Sequence, residues 1–332
     1  MFAASSLLVG NLLSPMVLFF ALGAVAVLVK SDLAVPREVT TGLALYLMMA
    51  IGFHGGAQLA SAGLSPEVIK TVLSGAALGF VLPGLAFLIL TRIGRLDPVN
   101  AGAIAAHYGS ISAVTFATAS SFLSHLSIPY HGFMVAVMAL MEGPGTVVGI
   151  LLARAYAPVG EGENFNGNGS LGSLLKETIL GGSVLLLLGS FTIGAVTGEK
   201  GMGLLKPFVV DLFPGALSLF LLDMGLTAAR RLNEFLRLGK FLTGFAIIMP
   251  LVGGSLGVLT SRLIGLSIGD ATLLAVLAAS ASYIAAPAAV RLALPRANPS
   301  LSITLVLGVT FPFNILIGIP LYYTLARALI RF

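Results

Sequence analysis

The sequence predicts an all-α integral membrane protein in which ten transmembrane helices form a 5+5 inverted repeat, with helices four and nine broken. Of its 332 residues, 57% are hydrophobic and only 9% are charged, whereas a soluble domain has about 25% charged residues. Apolar stretches of roughly 20 residues, the length of a membrane-spanning helix, recur throughout the chain. The two halves also align at a constant offset, which pairs Gly52 with Gly225 and Asp97 with Asp270.

The apolar runs set the positions of the ten predicted spans. These are 13–29, 39–59, 71–91, 100–122, 132–153, 178–197, 211–229, 241–261, 271–290 and 303–326. No positively charged region precedes the first, so we interpret it as a span rather than a signal peptide. The stretch 157–170 is rich in Gly, Asn and Glu and has the composition of a linker. We therefore expect a first repeat at 1–156, a cytoplasmic linker at 157–177 and a second repeat at 178–332.

Basic residues predict the orientation of the chain. Of its 18 lysines and arginines, twelve fall in the odd-numbered loops and six in the even-numbered loops and termini. Because cytoplasmic loops carry the excess of Lys and Arg, both termini are expected outside the cytoplasm. Basic loops also account for the net charge of +5 without a nucleic-acid partner, and the absence of cysteine excludes disulfides and thiol chemistry.

Each predicted half contains an odd number of spans, so the second half enters the membrane with reversed polarity. An inverted repeat is typical of secondary transporters, which bind substrate near the midplane between the halves. Chance matches among Gly, Ala and Leu remain the alternative explanation of the alignment.

Spans four and nine both have polar middles. Gly109 is a poor helix former, and Pro287 lacks a backbone donor, so we expect both helices to break near the bilayer centre. The two outgoing half-helices would then direct their N-termini, with free amides and partial positive charge, toward a shared small anion. The predicted substrate-binding residues are Gly109, Ser110, Ser112, Thr115, Ser280, Ser282 and Tyr283. The alternative is that small residues here only allow close helix packing.

Glu142 lies deep in the fifth span, where an ionised carboxylate is costly unless it faces a cavity, a cation or a proton path. Oxygen ligands suit a hard cation such as sodium. Glu142, Thr310 and Asn314 are therefore the sodium-binding candidates, and a structural hydrogen bond from Glu142 is the alternative.

Asp223 could pair with the basic residues that follow it or act in function. His125 and His131 fall in a predicted outside loop, where we expect them to be solvated.

Several motifs resemble, in matching order, those of the cyanobacterial sodium-dependent bicarbonate transporter family. They are "GSISAVT" (109–115), "MEGP" (141–144), "SASYIAAPAAVR" (280–291), "LPRANPSLSITLVLG" (294–308) and "FPFNILIGIPL" (311–321). The resemblance spans nearly the whole chain. Glu142 stands where the family usually has aspartate, Tyr283 also replaces an aspartate, and Val114 replaces a hydroxyl residue.

The resemblance implies core and gate domains built from both repeats, an elevator-like movement, a homotrimer and sodium-coupled bicarbonate uptake. It implies a bacterial inner-membrane protein that uses Na⁺ as coupling ion and needs no other cofactor. A PII-like regulator, also implied, is less expected because the linker is much shorter than that family's cytoplasmic loop.

Three alternatives stay open at this point. The first is a carrier with the same fold for another small carboxylate or inorganic anion. The second is an intramembrane Ser/His hydrolase, which the serines near His107 suggest weakly. The third is a passive channel, which the repeat and the absence of a charged ring argue against. We expect a transporter and no enzyme.

Overall fold

A computed structural model describes residues 7, 9–62, 65–157, 182–232, 234 and 238–330. These residues form helices and connecting segments and contain no β-strand. The predicted linker, apart from Ala157, lies outside the described residues, as do predicted span residues 178–181. In chain order the helices are α1 (Pro15–Leu28), α2 (Arg37–Ala62), α3 (Pro66–Leu88), α4 (Pro98–Gly109), α5 (Ala113–His125), α6 (Phe133–Tyr156), α7 (Gly182–Lys206), α8 (Phe213–Arg230), α9 (Gly239–Ile264), α10 (Ile268–Ala279), α11 (Ala286–Ala293) and α12 (Pro299–Leu329).

Six helical runs in the described part of the chain are long and apolar enough to cross a membrane, and α1 and α10 are shorter apolar helices. One of the six, Leu185–Arg230, has 46 residues. At 1.5 Å per residue this run would extend about 70 Å if it were straight, more than twice the hydrocarbon thickness. It is bent at Gly198, whose φ is 54°, and passes through a π-helical turn at Pro207–Asp211. The long run is therefore α7 and α8 joined end to end.

Capping residues set where several helices begin. The side chains of Ser65, Asp97 and Ser267 each accept a hydrogen bond from an amide in the first turn of α3, α4 and α10. Proline follows directly after Ser65 and Asp97, at a helix position where its missing N–H costs nothing. Because these caps lie outside the apolar runs, α3 begins at Pro66 rather than at the predicted residue 71.

Glycines allow four helix pairs to pack with their backbones in contact. A Cβ at these positions would overlap backbone atoms of the neighbouring helix. Small residues of this kind drive helix association in lipid, where burial of apolar surface contributes little. Each glycine and the residue whose backbone it meets are Gly225 and Phe20 (α8–α1), Gly52 and Leu187 (α2–α7), Gly149 and Ala106 (α6–α4), and Gly253 and Ala278 (α9–α10).

Helix interruptions lie in the fourth and ninth predicted spans, where the polar residues predicted them. The first separates α4 from α5 at residues 110–112, and the second separates α10 from α11 at residues 280–285. Pro287 lies in the first turn of α11, where proline is tolerated, and not in the gap itself.

Candidate functional site

The two interruptions contact each other through hydrogen bonds. The Ser112 amide donates to Ser280 Oγ at 3.0 Å. Ser282 and His107 are joined twice, by the Ser282 amide to the His107 carbonyl at 2.9 Å and by His107 Nδ1 to the Ser282 carbonyl at 2.7 Å. All four residues are buried. These bonds satisfy backbone groups that a helix break would otherwise leave unpaired in the membrane.

The N-terminus of α5 opens at this crossing. Ser112 caps the helix, and its Oγ accepts hydrogen bonds from the Thr115 amide at 3.2 Å and from Thr115 Oγ1 at 2.9 Å. Within the described residues no acceptor pairs with the amides of Ala113 and Val114. Free amides and the positive end of a helix dipole form a site that favours an anion.

A small cavity, here called the inner cavity, lies beside the crossing. Its volume is about 10 Å³, which is the space that one water molecule needs and too little for a larger anion. Its walls are formed by Met48, Ile111, Ser112, Ala113, Glu142, Ser282, Tyr283 and Ile284.

Of the predicted substrate ligands, Ser112, Ser282 and Tyr283 line the inner cavity. The other four shape its surroundings. The Ser110 hydroxyl donates to the Glu142 carbonyl at 2.7 Å, Ser280 accepts from Ser112, and Thr115 donates to Ser112. Gly109 packs against Pro83 and Gly145, and a Cβ there would lie 2.6 Å from the Pro83 ring.

Glu142 is the sodium candidate that reaches this cavity. The residue is only 4% exposed, and no described residue forms a hydrogen bond with its carboxylate. Thr310 and Asn314 do not line the inner cavity and bond elsewhere. Thr310 Oγ1 donates to the Ala246 carbonyl at 2.7 Å, and Asn314 Nδ2 donates to the Ala279 carbonyl at 2.9 Å. The structure therefore does not gather the three predicted sodium ligands around one cavity.

The hydroxyl of Tyr283 is buried and close to Ser112 but outside hydrogen-bonding geometry, and it has no partner among the described residues. Its ring packs edge-on against Phe311 with 5.5 Å between centroids. Such a hydroxyl is available to a bound molecule.

Two side chains make contacts that the sequence did not predict. Asp223 accepts a hydrogen bond from Thr40 at 2.9 Å, while Arg231 pairs with Glu234 at 3.1 Å. Among the described residues, Asp223 forms no ion pair with the basic residues that follow it. His107 ties the two interruptions together across 175 positions. The sequence signal for such a role is the position of His107 just before the predicted helix break.

His131 is not simply solvated, contrary to the expectation. Its Nδ1 lies 2.7 Å from Oδ2 of the fully buried Asp270, and this hydrogen bond raises the pKa of the half-exposed imidazole. Glu67 adds a third potential ligand atom, all three lying within 4.8 Å of one another. Asp270 already accepts from His131 and from Ser267, so this cluster is explained by its own hydrogen bonds.

Comparisons with known proteins place the chain in a family. A search of curated proteins finds no match. The family model described as the Na⁺-dependent bicarbonate transporter superfamily matches residues 15–327 of the 332. This match covers nearly the whole chain, including both interruptions, and transporter membership agrees with the expectation of a non-enzyme. The chain belongs to the Na⁺-dependent bicarbonate transporter superfamily.

Proposed function

We propose that the chain is a secondary active transporter that couples uptake of bicarbonate to sodium, with both bound at the crossing of the two interrupted helices. The observation that carries this proposal is the inner cavity, whose wall combines Glu142 with Ser112 and Ser282. Amides and hydroxyls there suit an oxyanion, while the carboxylate suits a cation.

The position of Glu142 beside the proposed anion ligands supplies a physical reason for coupling bicarbonate binding to sodium binding. Two negative charges about 4 Å apart repel by about 4 kcal/mol at an effective dielectric constant of 20. Bicarbonate beside an ionised Glu142 would meet this repulsion, and a sodium ion between them would remove it. Sodium and the anion would thus each bind better in the presence of the other, which is the linkage that symport requires.

We assign Glu142 as the main sodium ligand within this proposal. Ser112, Ser282 and Tyr283 would contact bicarbonate, together with the free amides at the start of α5. Gly109, Ser110, Thr115 and Ser280 would hold the two interruptions in place. Thr310 and Asn314 remain sodium candidates only if their present hydrogen bonds to Ala246 and Ala279 exchange for the ion.

We further propose ten crossings arranged as a 5+5 inverted repeat. Two features support this arrangement: the repeated order of an interrupted helix followed by a long one, and the paired glycine contacts α1–α8 and α2–α7. In this proposal α1, α2, α7 and α8 form the gate and the remaining helices form the core. Both termini would lie outside the cytoplasm in a bacterial inner membrane.

The inner cavity holds about one water in this structure, so binding requires it to enlarge. Met48 of α2 is its one wall residue from the proposed gate, and the others come from the core. Movement of the core past the gate in an elevator-like manner would withdraw Met48 and open the site. A homotrimer, as the family resemblance implies, would give the gate a fixed frame, and a PII-like regulator is not required by the proposal.

Uptake of labelled bicarbonate into proteoliposomes tests the proposed function. We expect wild-type uptake to rise severalfold with an inward sodium gradient, and Glu142→Gln to lose this sodium dependence. Glu38→Gln, an exposed carboxylate in the first turn of α2, is the matched control and should behave as wild type. Equal uptake without sodium would contradict coupling. Transport of formate or acetate in place of bicarbonate would support the small-carboxylate carrier instead.

A further inference from the structure

A second and larger cavity, here called the outer cavity, lies between α2 and α5. Its volume is about 230 Å³, and its wall includes His54, Gln58, Phe116, Ser120 and Tyr130. Tyr130 belongs to the connection between α5 and α6, which the distribution of basic residues predicts to be outside the cytoplasm. In that predicted orientation the outer cavity lies on the side from which uptake begins.

Three buried polar atoms in this wall have no hydrogen-bond partner within the part of the chain that the structure describes. They are His54 Nδ1, Gln58 Oε1 and Ser120 Oγ. The Tyr130 hydroxyl is near Ser120 but outside hydrogen-bonding geometry, and burial raises the pKa of Tyr130, so the phenol keeps its proton as a further donor. Buried polar groups are normally paired, so several unpaired ones around one cavity point to a bound polar molecule.

The hydrogen bond between His54 and Gln58 limits what that molecule can be. His54 Nε2 and Gln58 Nε2 are 2.8 Å apart, so the amide donates and the remaining ring proton is on Nδ1. The pair then offers one donor, Nδ1–H, and one acceptor, Oε1. If the amide is turned over, Nδ1 becomes the acceptor and the amide nitrogen the donor. Either orientation requires a ligand that both accepts and donates a hydrogen bond.

Bicarbonate has both functions, since its C–O⁻ oxygens accept and its C–OH donates, whereas formate and nitrate only accept. The volume is also sufficient, because a water molecule takes up about 30 Å³ of liquid. We propose that the outer cavity is an entry site that binds bicarbonate through His54, Gln58 and Ser120 and selects it over oxyanions without a hydroxyl. This inference rests on the proposed function, because it adds a station to the same transport path.

The outer cavity leads toward the inner one along two helices. On α2, Ile51 lines the outer cavity one turn away from Met48, which lines the inner cavity. On α5, Phe116 stands in the same relation to Ala113. Ile51 and Phe116 are 7% and 1% exposed, so these two buried side chains line the outer cavity on its side toward the inner one. The distance along α5 from its first residue to Ser120 is about 10 Å.

The experiment measures bicarbonate uptake from each face separately, using right-side-out and inverted membrane vesicles. We expect Gln58→Met and Ser120→Ala to raise the KM for bicarbonate at the outer face about tenfold and to leave the KM at the inner face unchanged. Gln58→Met should also allow formate to compete more strongly at the outer face. The variant lacks the Gln58 Oε1 acceptor, to which formate cannot donate a hydrogen bond. Ser261→Ala is the matched control, since Ser261 is a buried serine that lines neither cavity, and its hydroxyl donates to the Gly257 carbonyl of its own helix at 2.8 Å.

An unchanged outer KM in both variants, or an equal rise at both faces, would overturn the entry site while leaving the proposed function intact. Absence of bicarbonate uptake by the wild type would instead contradict the proposed function. In that case bicarbonate binding is measured without transport, as the rise in thermal midpoint that bicarbonate causes in the purified protein. The Ser112→Ala variant is used because Ser112 lines the inner cavity and not the outer one. Loss of that rise on adding Gln58→Met supports the entry site, and its persistence overturns it.

Discussion

The two interrupted helices carry related sequences but differ in how completely their gaps are bonded. The first gap has three residues, all buried, and the helix that follows begins with a serine cap. The second has six residues, its following helix has Ala285 at the N-cap position, and Ile284 is 38% exposed. The Ser282 hydroxyl accepts one hydrogen bond, from the Ala286 amide, whereas the Ser112 hydroxyl accepts two.

Within the proposed site, we interpret this difference as two different roles for the gaps. Ser280 and Ser112 accept hydrogen bonds from amides at the first gap, and Gly109 packs closely beside it, so we expect this gap to act as a fixed platform. The second gap contributes the side chain with a free hydrogen-bonding group, Tyr283, on a longer and less bonded segment. A binding site built from one fixed and one adaptable half can enclose a small anion without rebuilding both halves.

Gly109→Ala should have the largest effect, because the added methyl group would overlap atoms that pack against the first gap. The added Cβ would lie 2.6 Å from the Pro83 ring and 2.8 Å from Gly145 Cα. Overpacking of this kind costs about 1–3 kcal/mol, and bicarbonate uptake should fall at least tenfold. Far-UV circular dichroism during heating measures stability, since the chain has no tryptophan.

Gly84→Ala is the control for this change. Gly84 lies in α3 with nothing within 4 Å of an added Cβ, so the variant should be as stable as wild type or about 0.5–1 kcal/mol more stable. If Gly109→Ala behaves like this control, the close packing of the first gap is not what fixes the platform.

Removing the hydroxyls of Ser112 and Ser282, one at a time, should give intermediate and unequal effects. Ser112→Ala loses both bonds from Thr115 and should destabilise the protein by about 1–2 kcal/mol, whereas Ser282→Ala loses one bond and should cost about 1 kcal/mol or less. Equal losses of stability in the two variants would contradict the contrast between the gaps. The KM for bicarbonate should rise in both, because both side chains line the inner cavity.

Tyr283→Phe should leave stability within about 0.5 kcal/mol of wild type, because the lost hydroxyl has no partner and the ring contact with Phe311 is kept. The KM for bicarbonate should nevertheless rise severalfold if the hydroxyl binds the anion. An unchanged KM would show that Tyr283 has a packing role. Ser282 would then be the residue of the second gap that contacts the anion.

The positions of the gaps could be predicted from sequence because glycine, serine and proline change backbone preferences locally. The roles of individual side chains could not, since those depend on distant partners. Thr310 and Asn314 have the oxygen atoms that a cation needs, but they bond to carbonyls of α9 and α10 that no local pattern reveals. Helix starts were misplaced for a simpler reason: the apolar runs outweighed the Ser-Pro and Asp-Pro caps at Ser65 and Asp97, which were already in the sequence.

The starts of the two interrupted helices also differ, and the difference predicts a small effect of pH. Asn100, in the first turn of α4, donates hydrogen bonds to the Asp97 side chain and accepts one from the Asn298 amide, and no histidine takes part. Asp270, in the first turn of α10, is bonded to His131, with Glu67 also nearby. The bond to Asp270 raises the pKa of His131 in the folded protein, so protonated His131 stabilises the fold below its ordinary pKa of about 6.5. That contribution is lost as pH rises through the raised folded pKa.

His131→Gln should therefore lower the thermal midpoint more at pH 5.5 than at pH 9, as measured in detergent by circular dichroism. His125→Gln, a change at an exposed residue shortly before His131, should show no such trend, and Asn100→Leu should lower the midpoint equally at both pH values. If the cost of His131→Gln is independent of pH, the neutral imidazole holds Asp270 as well as the charged one does. The bond between His131 and Asp270 would then give the start of α10 no dependence on pH, and the two interrupted helices would differ in their gaps.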